Sequence, residues 1–449
     1  MSKARARKTT AAQEGFSGPD APGLQDIMHC VRCGLCLAHC PTYIELGLET
    51  ESPRGRLYLM RAVSQGRIPL SQNVVRHLDL CLQCRNCQAA CPSGIRYGQI
   101  MEETRAEILR DGRHAPASWL ASRLVLRLFF SRPERVRYLM TALGLYERSG
   151  FQGLLRRSPL LNLLPGPWRN LEQLVPRVSA RPFLARGVVD SPTDAPPKFR
   201  VALLSGCMMP YIFGQVHEAT VRLLVRHGCE VVVPPEQVCC GALHLHSGDR
   251  QEARRLARRN IDVFLAEKVD AIVVNVAGCG AAMKEYGELL KDDPRYAEKA
   301  SRFSALVKDV NEFLAALPLS DGLGPLHQVV TYQDPCHLAH AQGIKAQPRA
   351  LLQAIPGLEL VEMSHPDQCC GSGGIYNLTH PQMAQRLLRR KMLEVAATGA
   401  QVVATANAGC ALQLEAGLRR YGLSGRVAHV VELLDEAYQR SARSPQSRS

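Results

Sequence analysis

Two copies of one cysteine pattern constrain this chain more than any other feature. The first run reads Cys30-Val31-Arg32-Cys33-Gly34-Leu35-Cys36-Leu37-Ala38-His39-Cys40-Pro41. The second reads Cys81-Leu82-Gln83-Cys84-Arg85-Asn86-Cys87-Gln88-Ala89-Ala90-Cys91-Pro92. Both follow C-x2-C-x2-C-x3-C-P, the spacing that holds 4Fe-4S clusters. Three close-spaced thiolates wrap one face of a cubane. The fourth, followed by proline, is directed away and reaches the neighbouring cluster. Crossed ligation is therefore expected: Cys30, Cys33, Cys36 and Cys91 for one cluster, and Cys81, Cys84, Cys87 and Cys40 for the other. Zinc is the alternative, because C-x2-C pairs also bind it. The third cysteine at the same spacing and the Cys-Pro ending argue against zinc.

Two clusters in one chain imply electron transfer. No G-x-G-x-x-G opens a helix after a strand, so neither flavin nor NAD is expected here. The chain reads as a relay that takes electrons from a partner. Seventeen cysteines without a secretory signal point to metal binding in a reducing compartment rather than to disulfides. Met1 to Thr10 is basic with no apolar core behind it, and no apolar run is long enough for a transmembrane helix.

The net charge of +14 is concentrated. Between Arg113 and Arg186 lie thirteen Arg, no Lys and three Glu (Glu134, Glu147, Glu172), a net +10. Trp119 and Trp168 both fall here, and groups such as Leu124-Val125-Leu126 and Leu128-Phe129-Phe130 alternate with the Arg. The mixture suits an amphipathic helix on anionic lipid or a subunit interface. A solvated linker is the plain alternative. No nucleic-acid partner is expected, because no binding module accompanies the Arg.

A repeat settles the C-terminal architecture. Cys207, Cys239-Cys240-Gly241 and Cys279 recur as Cys336, Cys369-Cys370-Gly371 and Cys410, at offsets of 129, 130 and 131 residues. Short β-branched runs precede each landmark, among them Val201-Ala202-Leu203-Leu204, Ala271-Ile272-Val273-Val274 and Val329-Val330-Thr331-Tyr332. Helical stretches lie between them, so each copy reads as βαβαβ with a parallel sheet and cysteines just past strand ends. The fold class expected is α+β multidomain. Residues 1–19 form a disordered basic tail and 20–110 a helical domain with two 4Fe-4S clusters. A basic helical connector follows over 111–197, ending in the linker Ser191-Pro192-Thr193-Asp194-Ala195-Pro196-Pro197. The cysteine-rich modules take 198–325 and 326–440, and 441–449 is a second disordered tail.

Secondary candidates are weaker. His244, His246, His337, His340 and His365 lie near the repeat cysteines, as ligands, proton carriers or supporting donors. Cys229 reads as a buried small hydrophobe. Gly241 and Gly371 suggest positive φ or close backbone approach. Arg32 and Arg85 bring positive charge to the cluster runs, or are solvated.

The Cys-Cys-Gly repeats resemble the cysteine-rich family of heterodisulfide reductase subunits and lactate-utilisation proteins. Joined to the N-terminal runs, the chain most resembles the iron–sulfur subunits of bacterial glycolate oxidases. Ser52-Pro53-Arg54-Gly55-Arg56, Cys91-Pro92-Ser93-Gly94, Gln333-Asp334-Pro335-Cys336-His337-Leu338-Ala339-His340 and Cys369-Cys370-Gly371-Ser372 carry the likeness. It covers about residues 20–110 and 198–440, and the connector bears no motif. The long insert between the two runs is similar to the all-helical ferredoxin domain of succinate dehydrogenase-type subunits. The resemblance implies a flavin-containing dehydrogenase partner that oxidises glycolate to glyoxylate. It also implies the cytoplasmic face of the inner membrane and an acceptor such as quinone. Subunits of anaerobic glycerol-3-phosphate or lactate dehydrogenase, and a thiol–disulfide reductase, are the alternatives. In both copies the fifth cysteine of the fullest repeat is missing. Gly280-Ala281-Ala282 follows Cys279, and Ala411-Leu412-Gln413 follows Cys410. Four thiols per copy still suffice for a further iron–sulfur cluster, with zinc or free thiols as the other outcomes.

Overall fold

The computed structural model describes residues 15–112, 115–158, 178–179, 181–193, 196–319 and 321–443. Most of the basic tail, Trp168, part of the Pro-rich linker and residues 444–449 lie outside the described residues.

Residues 15–112 carry helices α1 (Leu24–Met28), α2 (Pro41–Leu46), α3 (Pro53–Ser64), α4 (Gln72–Asp79), α5 (Asn86–Ala89) and α6 (Tyr97–Asp111), with no strand among them. The Ser52-Pro53-Arg54-Gly55-Arg56 motif has a local reason. Ser52 Oγ accepts from the Gly55 amide at 3.0 Å and Pro53 occupies the first turn, which together start α3. A Cβ on Gly55 would stand 1.9 Å from the Glu49 carbonyl. Helix α6 buries Ile100, Met101, Ala106, Ile108 and Leu109.

The connector follows with α7 (Ala117–Val125), a π turn at Leu126–Phe130, α8 (Pro133–Arg148) and α9 (Phe151–Arg157). It is not wholly helical. Strand β1 (Gly187–Asp190) leaves it to pair antiparallel with the first module's sheet.

That sheet continues with β2 (Phe199–Leu203), β3 (Cys229–Val233), β4 (Ala271–Val274) and β5 (Val307–Asp309), in the order β1-β3-β2-β4-β5. The second has β6 (Gln328–Tyr332), β7 (Leu358–Leu360), β8 (Val402–Thr405) and β9 (Arg426–His429), in the order β7-β6-β8-β9. The parallel strands follow one order in both modules, and each has one strand beyond the expected βαβαβ. Alternation divides the first sheet's side chains. Val201, Leu203, Val231 and Val273 enter a core shared with Val330, Tyr332, Val402 and Ala404 of the second module. Ala202, Leu204, Ile272 and Val274 pack outward on the helix Arg250–Ala266. Parallel strands covered on both faces need such unbroken apolar runs. Cys229 is fully buried in β3. Among the described residues no helix is long and apolar enough to cross a membrane.

Candidate metal centres

The two N-terminal runs fold alike. Arg32 and Gln83, at matching places, both take left-handed backbone (φ 58° and 54°). Gly34 and Arg85, one residue past the second cysteine of each run, do so too (φ 86° and 62°). Left-handed conformation costs a non-glycine residue about 1–2 kcal/mol. Its recurrence at equivalent positions marks loops wound to aim their thiols at one centre.

Cys30, Cys33, Cys36 and Cys91 line one cavity, with Arg54 and Ile95 in its wall. Cys40, Cys81, Cys84 and Cys87 line a second, with Arg56, Gln83 and Arg85. Cys87, Pro53 and Tyr97 border both, so the cavities are adjacent. Among the described residues no three His, Cys, Asp or Glu side chains are grouped to hold a single ion; these thiols surround space instead. Burial pushes the Cys36 thiol up to about 11 and holds Cys84 and Cys87 well above the ordinary thiol range. They stay protonated until a metal displaces the proton.

Positive charge flanks the second cavity. Arg56 is buried and donates to the His77 carbonyl (2.8 Å), Thr42 Oγ1 (3.0 Å) and Glu51 Oε2 (2.9 Å). Its Nη1 is 3.9 Å from Cys40 Sγ. Arg85, for which solvation is one of two sequence readings, is instead buried between Glu102 (3.2 Å) and Glu285 (2.9 Å). Gly98 makes room for it: a Cβ there would meet Arg85 Nε at 2.4 Å.

The repeat cysteines converge as two quartets at the C-terminal edges of the sheets. Cys207 contacts Cys239, Cys239 contacts Cys240, and Cys240 contacts Cys279. In the second module Cys369 contacts Cys336 and Cys370, and Cys370 contacts Cys410. Hydrogen bonds from Cys207 and Cys240 draw Cys239 well below the ordinary thiol range, and Cys369 and Cys410 do the same to Cys370. Gly371 is left-handed (φ 89°), and a Cβ on it would stand 2.6 Å from the Ala384 carbonyl. Gly241 is likewise left-handed (φ 80°).

The cysteine sites meet. Cys84 shares an apolar cluster with Cys369, Leu82 and Tyr376, with Cys336 packed against it. Cys207 packs beneath Val136 and Met140 of α8.

The histidines divide. His246 bonds Glu102 (3.1 Å) and stacks on His337, whose Nε2 meets the Gln83 carbonyl (3.2 Å). His340 Nε2 meets the Asp367 carbonyl (2.9 Å), and exposed His365 pairs with Glu394 (2.9 Å). His244 is fully buried. Sequence reasoning missed Asn260, whose Nδ2 donates to the Cys239 carbonyl (3.2 Å), and Tyr286, whose hydroxyl donates to the Cys240 carbonyl (2.7 Å). It also missed Asn407, whose Nδ2 lies 3.3 Å from Cys410 Sγ. The repeated triplets Ala277-Gly278-Cys279 and Ala408-Gly409-Cys410 were the available signal for that corner.

Cysteine-rich cavities beside two Cys-Cys-Gly α/β modules define an iron–sulfur protein of the electron-transfer class. Comparison agrees. Residues 26–95 match the 4Fe-4S dicluster domain, and 201–284 and 330–415 match the cysteine-rich domain. Residues 119–175 match the linker region of the glycolate oxidase iron–sulfur subunit. The connector, motif-free to inspection, therefore does carry a family signature. The chain is 44% identical to the probable glycolate oxidase iron–sulfur subunit of Bacillus subtilis (strain 168), over 92% of this chain and 94% of that one. It is 34% identical to the glycolate oxidase iron–sulfur subunit of Escherichia coli (strain K12), over the same shares. A fumarate reductase (CoM/CoB) subunit of Methanothermobacter marburgensis is 29% identical over 91% of this chain and 72% of its own length. The chain belongs to the glycolate oxidase iron–sulfur subunit family.

Proposed function

We propose that this chain is the electron relay of a flavin-dependent 2-hydroxyacid dehydrogenase complex that oxidises glycolate to glyoxylate. The flavin subunit oxidises the substrate, and this chain passes electrons to a membrane acceptor such as quinone. The observation that carries the reading is the run of adjoining thiol sites: two cavities sharing Cys87, with Cys84 of the second packed against the second quartet.

When bound, 4Fe-4S clusters supply one-electron carriers of tunable potential. Cys30, Cys33, Cys36 and Cys91 hold one in an all-helical ferredoxin domain; Cys40, Cys81, Cys84 and Cys87 hold the other. The thiols fit such groups because each set of four surrounds a cavity rather than a point. Arg54 and Arg56 place positive charge beside them, which favours the reduced state. The quartets Cys207, Cys239, Cys240, Cys279 and Cys336, Cys369, Cys370, Cys410 hold further clusters. The complex sits peripherally on the cytoplasmic face of the inner membrane.

The test is anaerobic purification with the flavin partner. Iron of at least about eight per chain and glycolate-dependent dye reduction that requires both subunits support the relay. Dye reduction by the lone, flavin-free chain rejects it.

A further inference from the structure

The two quartets are not chemically equal. His244 lies five residues past Cys239, and the matching position past Cys369 is Gly374. His244 sits on the short helix Ala242–His246, started by left-handed Gly241 directly after the cysteine pair. Its side chain is 0% exposed, yet neither ring nitrogen has a hydrogen-bond partner among the described residues. Buried polar groups without partners are rare in native structures. The ring lies close enough to Cys239 for their charges to act on one another.

A carboxylate also lies near the ring. Asp249 Oδ2 is 4.0 Å from His244 Nδ1. Asp249 is itself buried and clamped by Arg127 at 2.6 and 2.7 Å. A metal-ligating histidine commonly gives its second ring N–H to a carboxylate, which fixes the tautomer and leaves the remaining nitrogen for the metal. At 4.0 Å Asp249 is too far for a hydrogen bond, but its charge favours the tautomer protonated at Nδ1, which leaves Nε2 as the free donor.

We propose that His244 Nε2 is a fifth protein ligand to iron in the first quartet, an imidazole donor that the all-cysteine second quartet lacks. The proposal rests on the reading of the quartets as cluster sites. It makes Asp249 and Arg127 a positioning pair and ties the connector to the metal centre.

The experiment uses the full chain, purified anaerobically with 15N-labelled histidine and reduced, and reads nitrogen hyperfine coupling by pulsed electron paramagnetic resonance. A directly bound imidazole nitrogen couples far more strongly than a hydrogen-bonded one. The expected result is a strong histidine coupling that disappears in His244→Gln and survives in His365→Gln, a change at an exposed histidine. Where His244→Gln does not fold, His244→Cys supplies a thiolate instead, and it should keep the iron and lose the coupling. Cys239→Ala reports whether the first quartet holds iron. Unchanged iron in that variant removes the cluster reading and the proposal with it. Iron lost in Cys239→Ala, but no strong histidine coupling in the parent, overturns the proposal alone. So does a coupling that persists in His244→Gln.

Discussion

The imidazoles of His246 and His337 stack with centroids 4.9 Å apart and planes 21° from parallel. His246 belongs to the first module and His337 follows Cys336 of the second. Gln83 and Glu102 of the N-terminal domain bond the two rings from below. Arg105 reinforces the junction, donating to the carbonyls of His246 (2.8 Å) and Cys81 (2.7 Å). One pair of rings is thus where the cluster loop and both modules touch.

Glu102 should be the most sensitive residue of that junction. Its carboxylate faces buried Arg85 and His246, and removing one partner of a buried pair leaves an uncompensated charge. Glu285 also pairs with Arg85 but is partly exposed, so it compensates in part. Glu102→Gln is expected to cost about 3 kcal/mol, the lower end of the range for broken buried pairs. The check is the denaturant midpoint at neutral pH. A loss under about 1 kcal/mol would mean that Glu285 alone satisfies Arg85.

Stability should fall on acidification in two stages. Burial drives His217 down to about 4 and His429 to about 3, against an ordinary value of 6.5. Both rings are bonded in neutral form, His217 to the Ser205 carbonyl and Asn275, and His429 to the Asn275 carbonyl. Below pH 6.5 the unfolded chain takes up protons that the folded chain refuses, so stability declines as pH falls from about 6.5 towards 4. Glu102 acts lower. Burial opposes its charge, but the hydrogen bond to His246 and the charges of Arg85 and His246 prevail and hold it at about 2, from 4.5. Its contribution is complete above pH 4.5 and is lost between there and 2. Chemical denaturation at pH 8, 6 and 5 tests the upper stage, which His217→Gln with His429→Gln should flatten. Equal stability at pH 8 and pH 5 in the parent would contradict it.

Crossed ligation predicts which cluster each distal cysteine serves. Cys40 lines the cavity of the second run, and Cys91 that of the first. Cys40→Ser should therefore damage the cluster held by Cys81, Cys84 and Cys87, and Cys91→Ser the other. Spectra of the two reduced variants decide. The opposite pattern of loss would mean that each run closes its own cluster.

The cysteine runs and the repeat were legible because thiol spacing is set by cluster geometry and because two copies of a module keep their landmarks. The misses share a cause: each is decided by a partner far along the chain. Strand β1 is four residues long and becomes a strand only against β3. Strands β5 and β9 carry Lys308-Asp309 and Arg426, and read as loops without their neighbour β4 or β8. Arg123 and Arg127 look like docking charges in a basic stretch. They instead pair inward with Asp249, more than a hundred residues away. His244 was visible as a candidate, but its burial beside Asp249 was not.

That inward pairing yields a prediction for the connector. Arg127→Gln should loosen α7 from the first module, because the longer contact from Arg123 at 3.5 Å would be the one ion pair left between α7 and Asp249 among the described residues. Arg127 is more than a third exposed, so solvent screening limits the cost to about 1 kcal/mol. Limited proteolysis is the sensitive readout, with faster cutting between residues 113 and 186. Cleavage at the parent rate would show that apolar contacts alone seat the helix.

With Arg123 and Arg127 turned inward, the outward face of this segment is apolar. Leu120, Leu124 and Leu128 are 46%, 61% and 43% exposed and recur every four residues, while Trp119 and Leu126 are buried. Side chains four apart share one face of a helix. An exposed leucine stripe flanked by Arg132, Arg135 and Arg137 has the composition of a docking face, apolar at the centre and charged at the rim. Burying a leucine contributes about 1.5–3 kcal/mol. About half of each is already buried, so replacing all three by Gln should weaken attachment by about fortyfold at the low end. Iron content should not change, because none of the three lines a cysteine cavity. The measurements are co-purification with the flavin partner and co-sedimentation with anionic vesicles, each at low and high salt. A leucine-driven contact persists in salt, whereas one driven by the rim arginines weakens as exposed charges are screened beyond about 8 Å at physiological ionic strength. If the triple variant binds partner and vesicles as the parent does, the stripe is bare surface and docking lies elsewhere on the chain.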